Sequence, residues 1–275
     1  AVDPNNSNTY YAGAPAGGIW KSIDAGINWQ PLTDYLPQIG VSGIAISPSN
    51  SNIIYIATGD DDANDSSSVG VMKSTDGGTT WKATGNIAGN PNSMNEIYID
   101  PNNTNTILVA TSNGVFKTID GGTNWVQKLA GTILDLKMKP GAATTWYAVS
   151  ATKFYRSTDS GETFAEVAIP ALTAGSTRLT IDVTIADPTY VYMVSAGTPK
   201  SAFNGVYKST DSGATFTKTA ETNDIFKSEQ AWFDLAITAS SSNKDIVYVG
   251  VLDIWKSTDG GNSFTKLTEW FSPDQ

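Results

Sequence analysis

The chain is made of short apolar runs separated by Gly, Pro, Asn and Ser, with no sustained 3.6-residue apolar period. Ile53-Ile54-Tyr55-Ile56-Ala57 is one such run, and Gly43-Ile44-Ala45-Ile46 is a shorter, alternating one. Runs of this length bounded by turn residues predict β-strands, so the pattern predicts an all-β chain.

The runs are punctuated by one phrase that occurs six times, most cleanly as Lys73-Ser74-Thr75-Asp76-Gly77-Gly78-Thr79-Thr80-Trp81. Its Asp recurs as Asp24, Asp76, Asp120, Asp159, Asp211 and Asp259. Two residues earlier stands Ser22, Ser74, Thr118, Ser157, Ser209 or Ser257; two residues later stands Gly26, Gly78, Gly122, Gly161, Gly213 or Gly261. Five residues after the Asp comes Trp29, Trp81, Trp125, Phe164, Phe216 or Phe264. The Gly suits a positive φ, and the Asp and hydroxyl can satisfy the turn's own backbone N–H groups.

Successive Asp residues are 52, 44, 39, 52 and 48 apart, the length of a four-stranded propeller blade. Upstream of each phrase lies a Pro/Asn turn, as in Asp3-Pro4-Asn5, Ser47-Pro48-Ser49 and Asp100-Pro101-Asn102. The expected fold is an all-β β-propeller whose phrase is the turn between the third and fourth strands. Blades are expected near 1–36, 37–86, 87–130, 131–170, 171–222 and 223–275, in a single propeller over 1–275. Ala1-Val2-Asp3 aligns with only the end of an inner strand, so the first blade is expected to lack most of it and the chain to belong to a longer precursor.

The six-fold phrase resembles the Asp-box, or BNR repeat, of sialidases, xyloglucanases, sortilin-type receptors and many secreted bacterial propellers, along the whole chain. Asn28, Asn124 and Ser263 stand where that pattern has Thr just before the aromatic. Gly59-Asp60-Asp61-Asp62-Ala63-Asn64-Asp65, Gly70-Val71-Met72-Lys73-Ser74 and Ile254-Trp255-Lys256-Ser257 resemble large exported proteins of Bacteroidetes that end in type IX secretion sorting domains. The resemblance implies a propeller at the cell surface or outside the cell. It implies little about activity, because one fold hosts many functions.

Composition removes several chemistries. There is no His and no Cys, so Ser-His-Asp, Cys-His and His-ligated metal sites are excluded. Charged residues make up 16% of the chain and the net charge is −10, which disfavours a phosphate-backbone partner. No apolar run reaches the length of a membrane span. Sialidases resembling this chain grip their substrate with three arginines, and only Arg156 and Arg178 are present. Xyloglucanases resemble two seven-bladed propellers with one catalytic Asp each, and the motif around the first has no good match in Gly13–Trp20.

A repetitive scaffold carries function on its variable loops. Those loops lie opposite the Asp phrases, at 12–17, 59–69, 86–95, 195–204 and 222–231. Asp60, Asp62, Asn64 and Asp65 supply hard oxygens suited to Ca²⁺, although an EF-type loop would need Glu at Val71. Aligning the inner strands on their Pro turns brings Gly43, Glu96, Asp135, Asp182 and Asp234 to one position. Glu96, Asp135, Asp234 and nearby Trp232 are therefore expected to bind ligand, a glycan or a surface protein. The alternative is a glycoside hydrolase that pairs two carboxylates among Glu96, Asp135, Asp182 and Asp234. A passive structural role is a third reading, and the six Asp of the phrase are expected to fasten blades without acting on a substrate.

Overall fold

The computed structural model describes residues 1–60, 66–172 and 174–270. The described residues form six four-stranded antiparallel sheets and no helix, an all-β β-propeller architecture. No helix is long and apolar enough to cross a membrane. In each sheet the strands pair in chain order, so every blade is a meander with an inner, second, third and outer strand. The chain divides into two compact units, Ala1–Ile133 and Leu134–Gln275, each with three blades. The inner strand of the first blade is only Val2–Asp3, beside a second strand spanning Asn6–Ala14.

Within each unit the core lies between consecutive blades. In the first unit Ile54 and Ile56 of the second blade pack with Tyr11 and Ile19 of the first. Their neighbours Tyr55 and Ala57 point the other way, into a cluster with Ile97, Ile107 and Val109 of the third blade. Both faces of Ile54–Thr58 are covered, which is why the run is apolar without alternation. The second unit repeats this arrangement. Met193 packs with Tyr147 and Phe154 of the fourth blade, and Val194 with Val247 and Val249 of the sixth. Burying each such side chain contributes about 1.5–3 kcal/mol. The aromatic after the phrase joins the cluster shared with the preceding blade: Trp81 with Tyr11 and Ile19, Phe216 with Tyr147 and Phe154.

All six phrases fold identically. At the second copy Ser74 Oγ donates to Asp76 Oδ1 (2.8 Å) and accepts from Gly78 N–H (2.8 Å). The other side of the carboxylate accepts from Thr80, through N–H to Oδ1 (2.8 Å) and Oγ1 to Oδ2 (2.6 Å). Asn28, Asn124 and Ser263 preserve this contact, because each donates its side chain to the same Oδ2 at 2.6–2.7 Å. The residue after each Asp donates its N–H to the turn between inner and second strands, as Gly77 does to Asn52 O (3.0 Å). Lys21 and Lys73 reach the next blade's phrase at Gly77 O and Gly121 O while lying over Tyr11 and Tyr55.

Two residues per turn adopt positive φ, one more than the invariant Gly predicts. The residue directly after the Asp does so too: Gly77, Gly121 and Gly260, but also Ala25 (60°), Ser160 (63°) and Ser212 (60°). A side chain there costs roughly 1–2 kcal/mol.

Hydrogen bonding holds all six phrase carboxyls at about 2, below their usual 3.8. At Asp24 and Asp120 the N–H four residues on dominates, and at Asp76 and Asp159 the Thr hydroxyl there. At Asp211 and Asp259 burial pushes upward and the same hydrogen bonds outweigh it. A depressed carboxyl adds stability above its unfolded value and loses it as pH falls through its folded one. Urea midpoints are therefore expected to hold down to about pH 4 and collapse between about 4 and 2; a flat profile there contradicts the assignment. Ala25→Gly is expected to raise unfolding free energy by about 1 kcal/mol, read from the same urea curves.

Candidate ligand-binding site on the variable loops

Strand register separates the inner-strand acids. In each blade seven residues separate the two partners of the last regularly paired rung, as between Ile46 and Ile54, Val183 and Val191, and Ala239 and Val247. Pro48, Pro101 and Pro140 are second in that turn, whereas Pro188 is fifth and the sixth blade has Ser241 second. Alignment on proline therefore misplaces the last two acids. The residues that share a rung are Gly43, Glu96, Asp135, Thr180 and Ala236, opposite Ala57, Ala110, Val149, Val194 and Gly250. Asp182 sits two residues nearer the phrases, and Asp234 two residues nearer the variable loops.

Asp135 and Asp182 bind the next blade. Asp135, 6% exposed, accepts from Thr180 Oγ1 (2.7 Å) and Ile181 N–H (2.9 Å) through Oδ2. Its Oδ1 accepts from Leu136 N–H (2.8 Å) and Lys137 Nζ (2.7 Å). Asp182 Oδ2 accepts from Ala239 N–H (2.8 Å) and Thr238 Oγ1 (3.1 Å). Burial raises the Asp182 carboxyl, with these hydrogen bonds and Lys137 opposing. Neither carboxylate is poised toward a substrate. In the first unit Glu96 is half-buried and lines a cavity of about 490 Å³ with Tyr11, Gly13, Ser42 and Gly43.

Asp60 is buried, its N–H donating to Ser66 O (2.8 Å). Asp62, Asn64 and Asp65, the other expected calcium ligands, lie outside the described residues.

The variable end of the second unit brings together a different set. Arg178 lies on the inner strand of the fifth blade, two residues before Thr180, and Asp234 in the turn just before the sixth blade's inner strand, two residues before Ala236. Arg178 Nη1 donates to Trp232 O (2.7 Å). Trp232 is 50% exposed, its indole edge-on to Phe233 with centroids 4.6 Å apart. Burial raises the Asp234 carboxyl, and the Arg178 charge only partly opposes it. Asp234 Oδ1 and Arg178 Nε are each buried without a hydrogen-bond partner among the described residues.

Buried anchors hold this platform. Ile225, Phe226, Ala231 and Leu235 enter the core shared by the fifth and sixth blades. Phe203 packs edge-on against Phe226 (5.1 Å) and its N–H donates to Asp224 Oδ1 (3.3 Å), tying the 198–203 loop to the 222–235 loop. Lys200 and Glu229 pair across the rim at 2.5 Å, an exposed contact worth little alone. Lys200, Ser201 and Lys227 all hold positive φ, the strained backbone that recurs in binding loops. Trp146 is fully buried and Trp270 is 64% exposed. Sequence reading weighed Arg178 only as one of a sialidase's arginines; its place beside Asp234 follows from register.

Fold and loops together define a β-propeller with a polar-aromatic platform at the variable end of its second unit. The chain matches no family model. Xyloglucanase Xgh74A of Acetivibrio thermocellus is 32% identical over a stretch taking in 34% of this chain and 13% of that protein. The GH74 enzyme of Niastella koreensis superposes with a TM-score of 0.71 at 23% identity, over 97% of this chain and 44% of the enzyme. The GH74 xyloglucanase of Xanthomonas campestris gives 0.72 at 17%, with the same coverages. YCF48 bound to D1 peptide gives 0.63 at 17%, over 94% of this chain and 77% of that one. The chain thus spans about an eighth of the curated relative and less than half of the solved GH74 chains.

Asp135→Ala is expected to lower unfolding free energy by about 2 kcal/mol or more, because it strands Thr180, Ile181 and Lys137. Urea unfolding checks this, and an unchanged midpoint would show that the inter-blade contact carries no stability.

Proposed function

We propose that this chain is an extracellular or cell-surface carbohydrate-binding propeller that holds its ligand on Trp232, between Arg178 and Asp234. The exposed indole on a rigid base carries this reading. A sugar ring lays its C–H face on an aromatic plane, which suits an exposed indole with charged and polar side chains nearby. The stretch of 32% identity to a xyloglucanase supports a polysaccharide as the ligand class. Asp135 and Asp182 serve the inter-blade contacts, which weighs against their use as a catalytic pair.

One observation favours a second reading, a glycoside hydrolase. Asp234 is a carboxyl raised by burial, the state a general acid needs. Its partner carboxylate would stand about 5–5.5 Å or 6.5–9.5 Å away. Affinity electrophoresis in gels holding xyloglucan, cellulose derivatives or mannan tests the binding reading, alongside a reducing-sugar assay on the same polymers. Native protein is expected to be retarded by at least one polymer, Trp232→Ala to lose the effect at least tenfold, and neither to release sugar. Retardation unchanged in Trp232→Ala contradicts the site. Sugar release that vanishes in Asp234→Asn favours the hydrolase, and no retardation at all favours a protein ligand or a structural role.

A further inference from the structure

A second, separate cavity lies at the variable end of the second blade, in the first unit. Its outer strand is only Lys82–Ala83 and ends opposite Met72. Thr84 N–H still reaches Val71 O (2.9 Å), but Gly85 N–H donates to Gly122 O (2.6 Å) and carries the chain to the third blade's phrase. A side chain at Gly85 would collide with Thr123 O, so the departure requires glycine. Beyond it the edge at Val69 and Gly70 is uncovered and opens on a cavity of about 330 Å³.

The floor of this cavity is apolar: Val71, Ile87 and Met94, each at most 3% exposed. Its rim carries the exposed amides of Asn86 and Asn90, whose side chains make no hydrogen bond among the described residues. The loop that presents them is pinned at both ends. Ser68 N–H donates to Asn92 O (2.8 Å), Asn113 Nδ2 donates to Gly89 O (3.0 Å), and Asn90 N–H closes a turn on Ile87 O (3.2 Å). Asn90 holds φ at 43°. Among the described residues no charged side chain lines the cavity. The corresponding cavity of the fourth blade, about 400 Å³, is lined by Ile169, Pro170, Leu172 and the Lys153–Glu166 ion pair, with no side-chain amide.

The geometry points to the second-blade cavity as an additional binding site for a neutral pyranoside. Its two exposed amides would hydrogen-bond ring hydroxyls while Ile87 and Met94 meet the C–H face. The described lining offers no charge to pair with phosphate, uronate or cationic ligands, and a backbone pinned at both ends lowers the ordering cost of the loop. The inference shares a carbohydrate ligand with the reading of Trp232 but uses none of that site's residues, so either can fail alone.

The test is titration of isotope-labelled whole chain with cellohexaose, xyloglucan heptasaccharide, mannohexaose and chitotetraose, following the side-chain amide signals of Asn86 and Asn90 and the Met94 methyl. At least one sugar is expected to shift all three in a saturable way. All three shifts should persist in Trp232→Ala, and in Asn86→Ala/Asn90→Ala, whose exposed substitutions spare the core, the affinity read from the remaining Met94 methyl should fall at least tenfold. Backbone spectra confirm that each variant is folded. No shift with any of the four sugars overturns the proposal, as do shifts that survive the double substitution.

Discussion

Everything in this molecule depends on a clip of three groups: a hydroxyl, a carboxylate and the backbone between them. In each of the six turns Ser or Thr donates to the Asp, the Gly amide donates back to the hydroxyl, and the residue before the aromatic closes the other carboxylate oxygen. The clip fixes two consecutive positive-φ residues, and that reversal sends the outer strand back along the third. It also places Trp81, Trp125, Phe216 and Phe264 in the cluster shared with the preceding blade, and at Gly77 and Gly121 it offers a turn carbonyl to that blade's lysine. Sheets that bury both faces have few other polar anchors, so the blades are joined by apolar packing and registered by these clips.

This division of labour gives six similar acids a structural task within their own turns. Both oxygens of each carboxylate accept from local donors, which holds the carboxyls near 2 and leaves them poor proton carriers at neutral pH. The acids on the inner strands divide in the same way. Asp135 and Asp182 each accept a backbone N–H of the next blade and belong with the clips. Asp234, two residues outside the corresponding rung, keeps an oxygen that no protein group fills. Position along the chain, measured from phrases toward variable loops, separates the acids that bond the next blade from Asp234.

The clips were legible in the sequence because they repeat at fixed offsets, and even Asn28, Asn124 and Ser263 read correctly as small polar substitutes. The blade order followed from the same spacing. The inner-strand alignment did not survive intact, because it used proline as its marker. Pro188 occupies a different place in a turn of unchanged length, and length is set by backbone pairing that no single residue reports. Arg178 was hidden because its partners are distant in the chain: its guanidinium reaches Trp232 O and its charge acts on Asp234. The second positive-φ residue was hidden because Ala25, Ser160 and Ser212 carry it without glycine. Trp232 could be picked out because it falls outside the repeat, where packing has no periodic use for an indole.

The central claim is that the turns carrying the clips fasten the blades and that ligand meets the opposite, variable ends. A spin-labelled oligosaccharide chosen from the polymers that bind the protein tests it directly, through line broadening of assigned backbone amides. The account predicts broadening around Trp232 and Asp234, and none at Gly26, Gly78, Gly122, Gly161, Gly213 or Gly261. Broadening centred on those glycines, with Trp232 unaffected, would contradict it.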